Sequence, residues 1–467
     1  MPRGRAEIEF AAVGILLVAS HVVLIRITCG LNHDTAAIFT AVLPLILGLA
    51  VPAALLLALL PRLVAMPASR FAWFALIAVG LLMRLVWFGV VPPLEDDYNR
   101  YLWDGAVVAH GASPYTHGPG MFLAGSVAPS GYPHLAPGVE AILGDINYPE
   151  MRSIYPSVAQ AAFAGAHMLA PFKIDGLRVV FLAGELVTLA LLVLLLGRLG
   201  RSWVWAIAYW WNPLPAAMLV GLVHVDALIP PFVLGAVLMM ATQRPHGAMV
   251  LIGLGAGVKV WPLLLAPMVL WPLLRDPRRL LSAGAVLAAA LLVAMGPLVW
   301  SAMRPGSGLS AYASGWSNNN GFYAWALYGV YLLAGSSPVA EAVFRPLIAL
   351  ATGLIALWMG TRGDSSLASL SVRALVVSAA VFYLSPAQFP WYAAWFLPLA
   401  ALTGNRALLI ASATLPAYYT FFPLWPVASG VWFFYGTAFI HSVPVLAALL
   451  WTRYNGGQRF FRAGQTA

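Results

Sequence analysis

Apolar runs long enough to cross a bilayer recur along the chain, separated by short clusters of proline, glycine and charge. The runs at 10–27, 36–60 and 180–196 set the pattern. Breaking the chain at those clusters predicts about twelve to fourteen spans, near 10–28, 36–60, 71–91, 177–197, 203–221, 226–242, 247–259, 261–274, 280–301, 339–360, 370–386, 390–403, 407–421 and 429–451. Two stretches, 92–176 and 302–338, are too polar and too rich in glycine and proline to span. Within the first, 157–169 reads as a helix lying on the membrane surface, and the short apolar stretch after Gly321 reads as interfacial too. The predicted class is therefore an all-α polytopic integral membrane protein with interfacial helices in a large outer loop.

Composition sharpens this. Of 467 residues, 61% are hydrophobic and only 9% charged, against about 25% in soluble domains, which excludes a soluble enzyme. The net charge of +9 comes from 25 basic and 16 acidic residues, and all but Lys173 and Lys259 among the basic ones are arginine. They are scattered rather than gathered into a stripe with interleaved aromatics, so nucleic-acid binding is not expected. Their concentration at alternate predicted helix ends, from Arg3 and Arg62 to Arg406 and Arg453, marks a cytoplasmic face holding both termini. Most acids fall on the opposite, extracytoplasmic face. Arg3 and Arg5 precede an apolar run without a clean cleavage site, which predicts an uncleaved first helix. A single cysteine, Cys29, and the lack of any Cys/His cluster with zinc-ligand spacing argue against redox or structural-metal roles.

The densest polar run is EDDYNRYLWDG at 95–105, directly after the third predicted span. If a helix begins at Asp96 or Asp97, these acids cap its first amides, and Arg100 and Asp104 share one face. Carboxylates packed beside apolar surface also raise one another's pKa, which suits a general base. Asp97 and Asp96 are the candidates for that role. Asp226, in GLVHVDA at 221–227, is either the cap of the next span or a buried functional acid beside His224. Lys259, where two short apolar stretches meet, either snorkels to the headgroups or binds a phosphate oxygen. Arg152, Tyr155, Asn318 and Gln388 supply a cation, a hydroxyl and amides on the same predicted side, with Trp316, Trp391 and Tyr392 as rings for a sugar or for an interfacial belt. Arg84 and Glu185 lie inside predicted spans, where pairing would relieve both charges.

The ordered set DDYNRYLWDG (96–105), GASPY (111–115), IYPSVAQ (154–160), WNPL (211–214), HVDA (224–227), VKVWP (258–262) and Ser385-Pro386 through Pro390-Trp391-Tyr392 resembles bacterial GT-C glycosyltransferases that use polyprenyl-phosphate sugars. It is most like the actinobacterial-type mannosyltransferases that build lipid-linked mannans. The resemblance covers about 70–400, and implies a transmembrane hairpin at 1–70, a GT-C-like catalytic core at 71–400 with outer loops 92–176 and 302–338, and C-terminal helices with a cytoplasmic tail at 401–467. It implies Asp97, three residues before Arg100, as the base in preference to Asp96. Lys259, Arg152 and Arg100 would hold the donor phosphate, and Tyr101, Asp104, Tyr155, His224, Asp226, Asn318, Gln388, Trp391 and Tyr392 the substrates.

The expected activity is transfer of a hexose, mannose by resemblance, from a polyprenyl-phosphate donor to a lipid-linked glycan or glycolipid at the outer face of a bacterial plasma membrane. No cofactor is required, though two carboxylates could hold a divalent cation. The alternatives are a lipid-linked-sugar flippase or secondary transporter, with Arg84, Glu185 and Asp226 lining a path, or a polysaccharide polymerase or ligase. The absence of an internal repeat disfavours transport.

Overall fold

The structure, a computed structural model, describes residues 3–28, 35–123, 139–315, 317–335, 338–424 and 432–454. The regular structure of those residues is helical, and their only β feature is an isolated parallel bridge between Asn318 and Ala387. Among the described residues seven helices are long and apolar enough to cross a membrane: Ala6–Thr28, Ala41–Val64, Ile174–Arg198, Pro277–Ala302, Val339–Thr361, Leu367–Leu384 and Tyr435–Arg453. An eighth arises if the segments 213–221 and 225–241, bent by 106° at their junction, count as one. The chain is thus a polytopic membrane protein by length and composition.

This is fewer than the twelve to fourteen spans expected. The remaining expected spans exist as shorter pieces: Arg70–Leu85, Pro245–Ala256, 261–273, and the sequences of 3-10, α and π turns over 203–221, 390–403 and 406–424. Proline marks most of the breaks, since it lacks an N–H and is favoured in the first turn of a helix. Pro213, Pro230, Pro245, Pro262, Pro390, Pro398 and Pro416 each sit in the first turn of a piece. Hydropathy counts apolar residues and does not register such interruptions.

Broken backbone is tolerated among apolar surroundings only where protein covers it, and the exposure pattern agrees. Residues 206–227 are buried almost without exception, whereas only 17% of the apolar windows of Pro277–Ala302 and Val339–Thr361 are buried inside the protein. The broken segments form the interior, and the long helices surround them.

Two buried arginines organise that interior. Arg84 and Glu185, both 0% exposed, pair at 2.7 Å as the sequence suggested. The pair is held further: Arg84 Nη1 donates to the carbonyls of Gly80 and Trp210, its guanidinium lies 3.7 Å from the Trp210 ring centre, and the Tyr209 hydroxyl donates to Glu185, which leaves Arg84 Nε as a buried nitrogen without a hydrogen-bond partner. Arg178 donates to the carbonyls of Val90, Val220 and Gly221 and to Asp175, which in turn accepts from the Gly89 amide. The carbonyls at the end of the π-helical piece Ala216–Gly221 are thereby satisfied where the backbone bends.

In the first loop the helix expected at 157–169 is Ser157–Leu169, and the one expected from Asp96 or Asp97 is Asp97–Ala109. They pack so closely that a Cβ at Gly105 would collide with the Phe163 carbonyl. The first amides of Ser157–Leu169, those of Val158 and Ala159, both donate to the Gly257 carbonyl at 3.0 and 3.1 Å. This docks the loop helix on the turn that carries Lys259, and a side chain at Gly257 would collide with Val158 and Ala294.

Breaking the Arg84–Glu185 pair from one side leaves an uncompensated buried charge. Arg84→Met or Glu185→Leu alone is expected to destabilise by about 3–5 kcal/mol, and the double replacement by clearly less than the sum, read from unfolding midpoints in one detergent.

Candidate functional site

The site assembles from four discontinuities. Glu95 and Asp96 lie in the turn before Asp97–Ala109, and Asp97 is that helix's first residue. His224 and Asp226 lie at the 106° bend. Lys259 lies between Pro245–Ala256 and the turn Trp261–Leu265. The 3-10 turn Pro390–Trp395 brings the aromatics, and because residues three apart eclipse in such a turn, Tyr392 and Trp395 share a face.

Lys259 and Asp226 form the centre. The ammonium contacts both carboxylate oxygens at 2.9 and 2.8 Å, and the Trp395 indole donates to Asp226 Oδ1 at 2.6 Å. The ammonium also sits 3.7 Å from the Tyr392 ring centre and 5.5 Å from that of Trp395, positions where a ring quadrupole attracts a cation. Lys259 therefore does not snorkel outward, and Asp226 is an ion-pair partner rather than a helix cap. Asp226 is 1% exposed and the Lys259 side chain 20%.

Asp97 lies beside this pair with 39% of its side chain accessible. Surrounding protein desolvates its carboxyl and, with the charges of Asp96 and Asp226 and against that of Lys259 and the Tyr101 hydroxyl, raises its pKa to about 7. Glu95 is raised well above the usual carboxylate range, first by burial, then by Asp97, and only partly countered by the Tyr419 hydroxyl that donates to it at 2.8 Å. His224 is fully buried, stacked on Trp391 at 3.7 Å and 7°, with Trp391 stacked in turn on Phe389. Its ring nitrogens lie 3.8 Å from Glu95 and 4.0 Å from Asp97.

The structure thus brings together Asp97, Asp96, His224, Asp226, Lys259, Trp391, Tyr392 and Tyr101. Asp96 makes no capping bond, contrary to expectation, and accepts instead from Asn147 at 2.7 Å. Other candidates are engaged elsewhere. Arg152 donates through Nη2 to the carbonyls of Ser301, Arg304 and Pro305, securing the end of Pro277–Ala302, while its Nε is buried without a hydrogen-bond partner. Arg100 bonds Asp104 at 2.9 Å and the Met151 carbonyl at 3.0 Å, leaving one buried nitrogen, Nη2, without a hydrogen-bond partner. Asp104 is buried under Arg100, Ser153 and Gln160, whose hydrogen bonds make it an anchor of the loop. The Gln388 amide donates to the carbonyls of Asn320, Tyr383 and Ser385 and, with the backbone bridge at Asn318, fastens the second loop to the turn after Leu367–Leu384. Tyr155 meets Tyr101 edge to face at 5.1 Å and accepts at its carbonyl from Tyr115. Trp316 lies outside the described residues, as do 124–138 of the first loop.

Glu95, Trp395, Phe389 and Tyr419 belong to the site and were not singled out by sequence. Trp395 carried a signal in its spacing of three from Tyr392, whereas nothing local pairs Tyr419 with Glu95, 324 residues away. Among the described residues no group of three His, Cys, Asp or Glu is arranged to hold a metal ion.

No family model matches the chain, nor does any curated protein or any solved structure.

The Asp226 and Lys259 charges act on Asp97 with opposite signs. Asp226→Asn is expected to move its titration below about 7, and Lys259→Met to move it above. Infrared titration of the carboxyl band that Asp97→Asn removes, with the protein in nanodiscs, checks both shifts.

Proposed function

We propose that the protein is an integral-membrane inverting glycosyltransferase that moves a hexose, mannose in the first instance, from a polyprenyl-phosphate donor to a lipid-linked glycan or glycolipid. The observation that carries this reading is Asp97, an accessible carboxyl raised to about 7 beside a partly buried lysine set against aromatic rings. A group of that pKa can accept a proton near neutral pH, and the neighbouring ammonium suits a leaving phosphate. The motif likeness to GT-C enzymes points to the same carboxylate.

In this reading Asp97 removes the proton of an acceptor hydroxyl as its oxygen attacks the anomeric carbon from the face opposite the phosphate. The bond from that carbon to the phosphate oxygen breaks, and the lipid phosphate departs with the electron pair. Lys259 meets the developing charge while Tyr392 and Trp395 exclude water around it. No metal enters these steps. The donor's isoprenoid tail stays among lipid, for which the exposed apolar faces of the long helices provide a boundary. The arginine distribution supports cytoplasmic termini and an extracytoplasmic site, and the motif likeness supports a bacterial plasma membrane. Arg84 and Glu185, paired with each other and 0% exposed, lend the transport reading no open path.

The test is transfer of labelled mannose from polyprenyl-phosphate-mannose to lipid acceptor by the purified protein in proteoliposomes. Transfer should rise through about 7 as Asp97 ionises and fall by about 10²–10⁴-fold in Asp97→Asn. Undiminished transfer by Asp97→Asn would remove the base, and failure of every polyprenyl-phosphate sugar offered to the intact protein would remove the reaction.

A further inference from the structure

Glu95 and His224 have no task in the mechanism above, yet their geometry is specific. The face of His224 lies 3.7 Å from Trp391 at 7°, which holds the plane of the ring, and in that plane both nitrogens are directed at carboxyls. Nε2 faces Glu95 Oε2 at 3.8 Å and Nδ1 faces Asp97 Oδ2 at 4.0 Å. Both nitrogens are buried without a hydrogen-bond partner, a costly condition that native structures rarely leave in place. The other oxygen of Glu95 accepts from Tyr419, which leaves Oε2 as the end aimed at the ring.

The backbone agrees. Leu94, before Glu95, has φ +61°, and Val223, before His224, has φ +63°. Left-handed conformations are unfavourable for such residues, above all for a β-branched one, and tend to persist where a following side chain must be placed. Burial, with the charge of Asp97, raises the Glu95 carboxyl well above the usual carboxylate range, and in its protonated form it has a proton to donate toward Nε2. An imidazole that accepts at Nε2 carries its own proton at Nδ1, facing Asp97.

We propose that Glu95, His224 and Asp97 form a carboxyl–imidazole–carboxylate chain in which Glu95 fixes the tautomer of His224 and His224 holds one oxygen of Asp97, leaving the other for the acceptor hydroxyl. His224 and Glu95 are then positioning residues, and the chain rests on the reading of Asp97 as the base. Catalytic hydrogen bonds of this kind tighten when substrate binds. The charged and titratable groups around the imidazole are Glu95 and Asp97 at its nitrogens, with Lys259 and Asp226 beyond them.

A donor to the ionised carboxylate favours that form, so losing it shifts the acid limb of the rate profile upward. In His224→Phe, which keeps the stack, the limb should rise by about one to two units, with kcat lowered at least about tenfold and KM little changed. His224→Asn, whose amide nitrogen lies near the position of Nδ1, should return the limb toward about 7. Glu95→Leu should raise the limb, and Glu95→Gln, which can still donate to Nε2 and accept from Tyr419, should restore it. An unmoved limb in His224→Phe, or Glu95→Gln as inactive as Asp97→Asn, would overturn the chain. Infrared titration of the Asp97 carboxyl in the same monodisperse variants without substrate decides the matter even if no sugar is transferred. A raised midpoint in His224→Phe supports the chain whatever the reaction, and an unchanged one rejects it while leaving the glycosyltransferase reading intact.

Discussion

One guanidinium holds the bend on which the site depends. The π-helical piece ending at Gly221 stops inside the protein, where its last carbonyls have no water to bond and no further helical turn to reach them. Arg178 supplies the donors, bonding the carbonyls of Val220 and Gly221 and joining them to Val90 and Asp175. The same side chain therefore fixes the turn that carries His224 and Asp226 and the strand of chain that leads to Glu95 and Asp97. A continuous helix at this position would have pointed those residues in directions set by 3.6-residue periodicity alone. The break frees them to converge.

Convergence of short pieces is the rule elsewhere in the interior. Lys259 comes from a junction of two short helices, and Tyr392 and Trp395 from a 3-10 turn that proline begins. The two acids before Asp97–Ala109 come from a turn whose approach is fixed through Gly105 and Gly257, where only a missing side chain permits contact with Phe163 and Val158. Each arrangement has a backbone that would be unstable facing lipid, so the long helices around it are as necessary to the site as the residues in it.

The sequence made the membrane class, the helix at 157–169, the Arg100–Asp104 face and the Arg84–Glu185 pair legible, because each depends on composition, on local spacing or on the cost of a lone charge in an apolar span. The number of spans was not legible in the same way. A run such as 203–221 is apolar enough to cross, but its composition hides the succession of 3-10, α and π turns that proline and burial impose. Within the site, Asp97, Asp226 and Lys259 stood out as rare charges among apolar residues. Arg152 and Gln388 stood out for the same reason and proved to bind backbone carbonyls, since polarity alone does not tell a ligand group from a clasp. Glu95 was visible in its cluster, but its contacts with His224 and Tyr419 are long-range and have no local signature.

The electrostatics of the centre set a problem that its hydrogen bonds address. Asp97 already titrates near 7 because water is scarce and Asp96 and Asp226 oppose its charge, with Lys259 as the chief cation in relief. Under the proposed reaction, a donor phosphate beside Lys259 adds another negative charge and draws on the same ammonium, which is also held by Asp226 at 2.8 Å. Both effects push Asp97 toward its protonated form when it must act as a base. A neutral donor to the carboxylate offsets this without attracting the phosphate as another cation would. Tyr101 and the imidazole edge of His224 are groups of that kind beside Asp97, which gives a physical reason for a buried, uncharged histidine in a site crowded with acids.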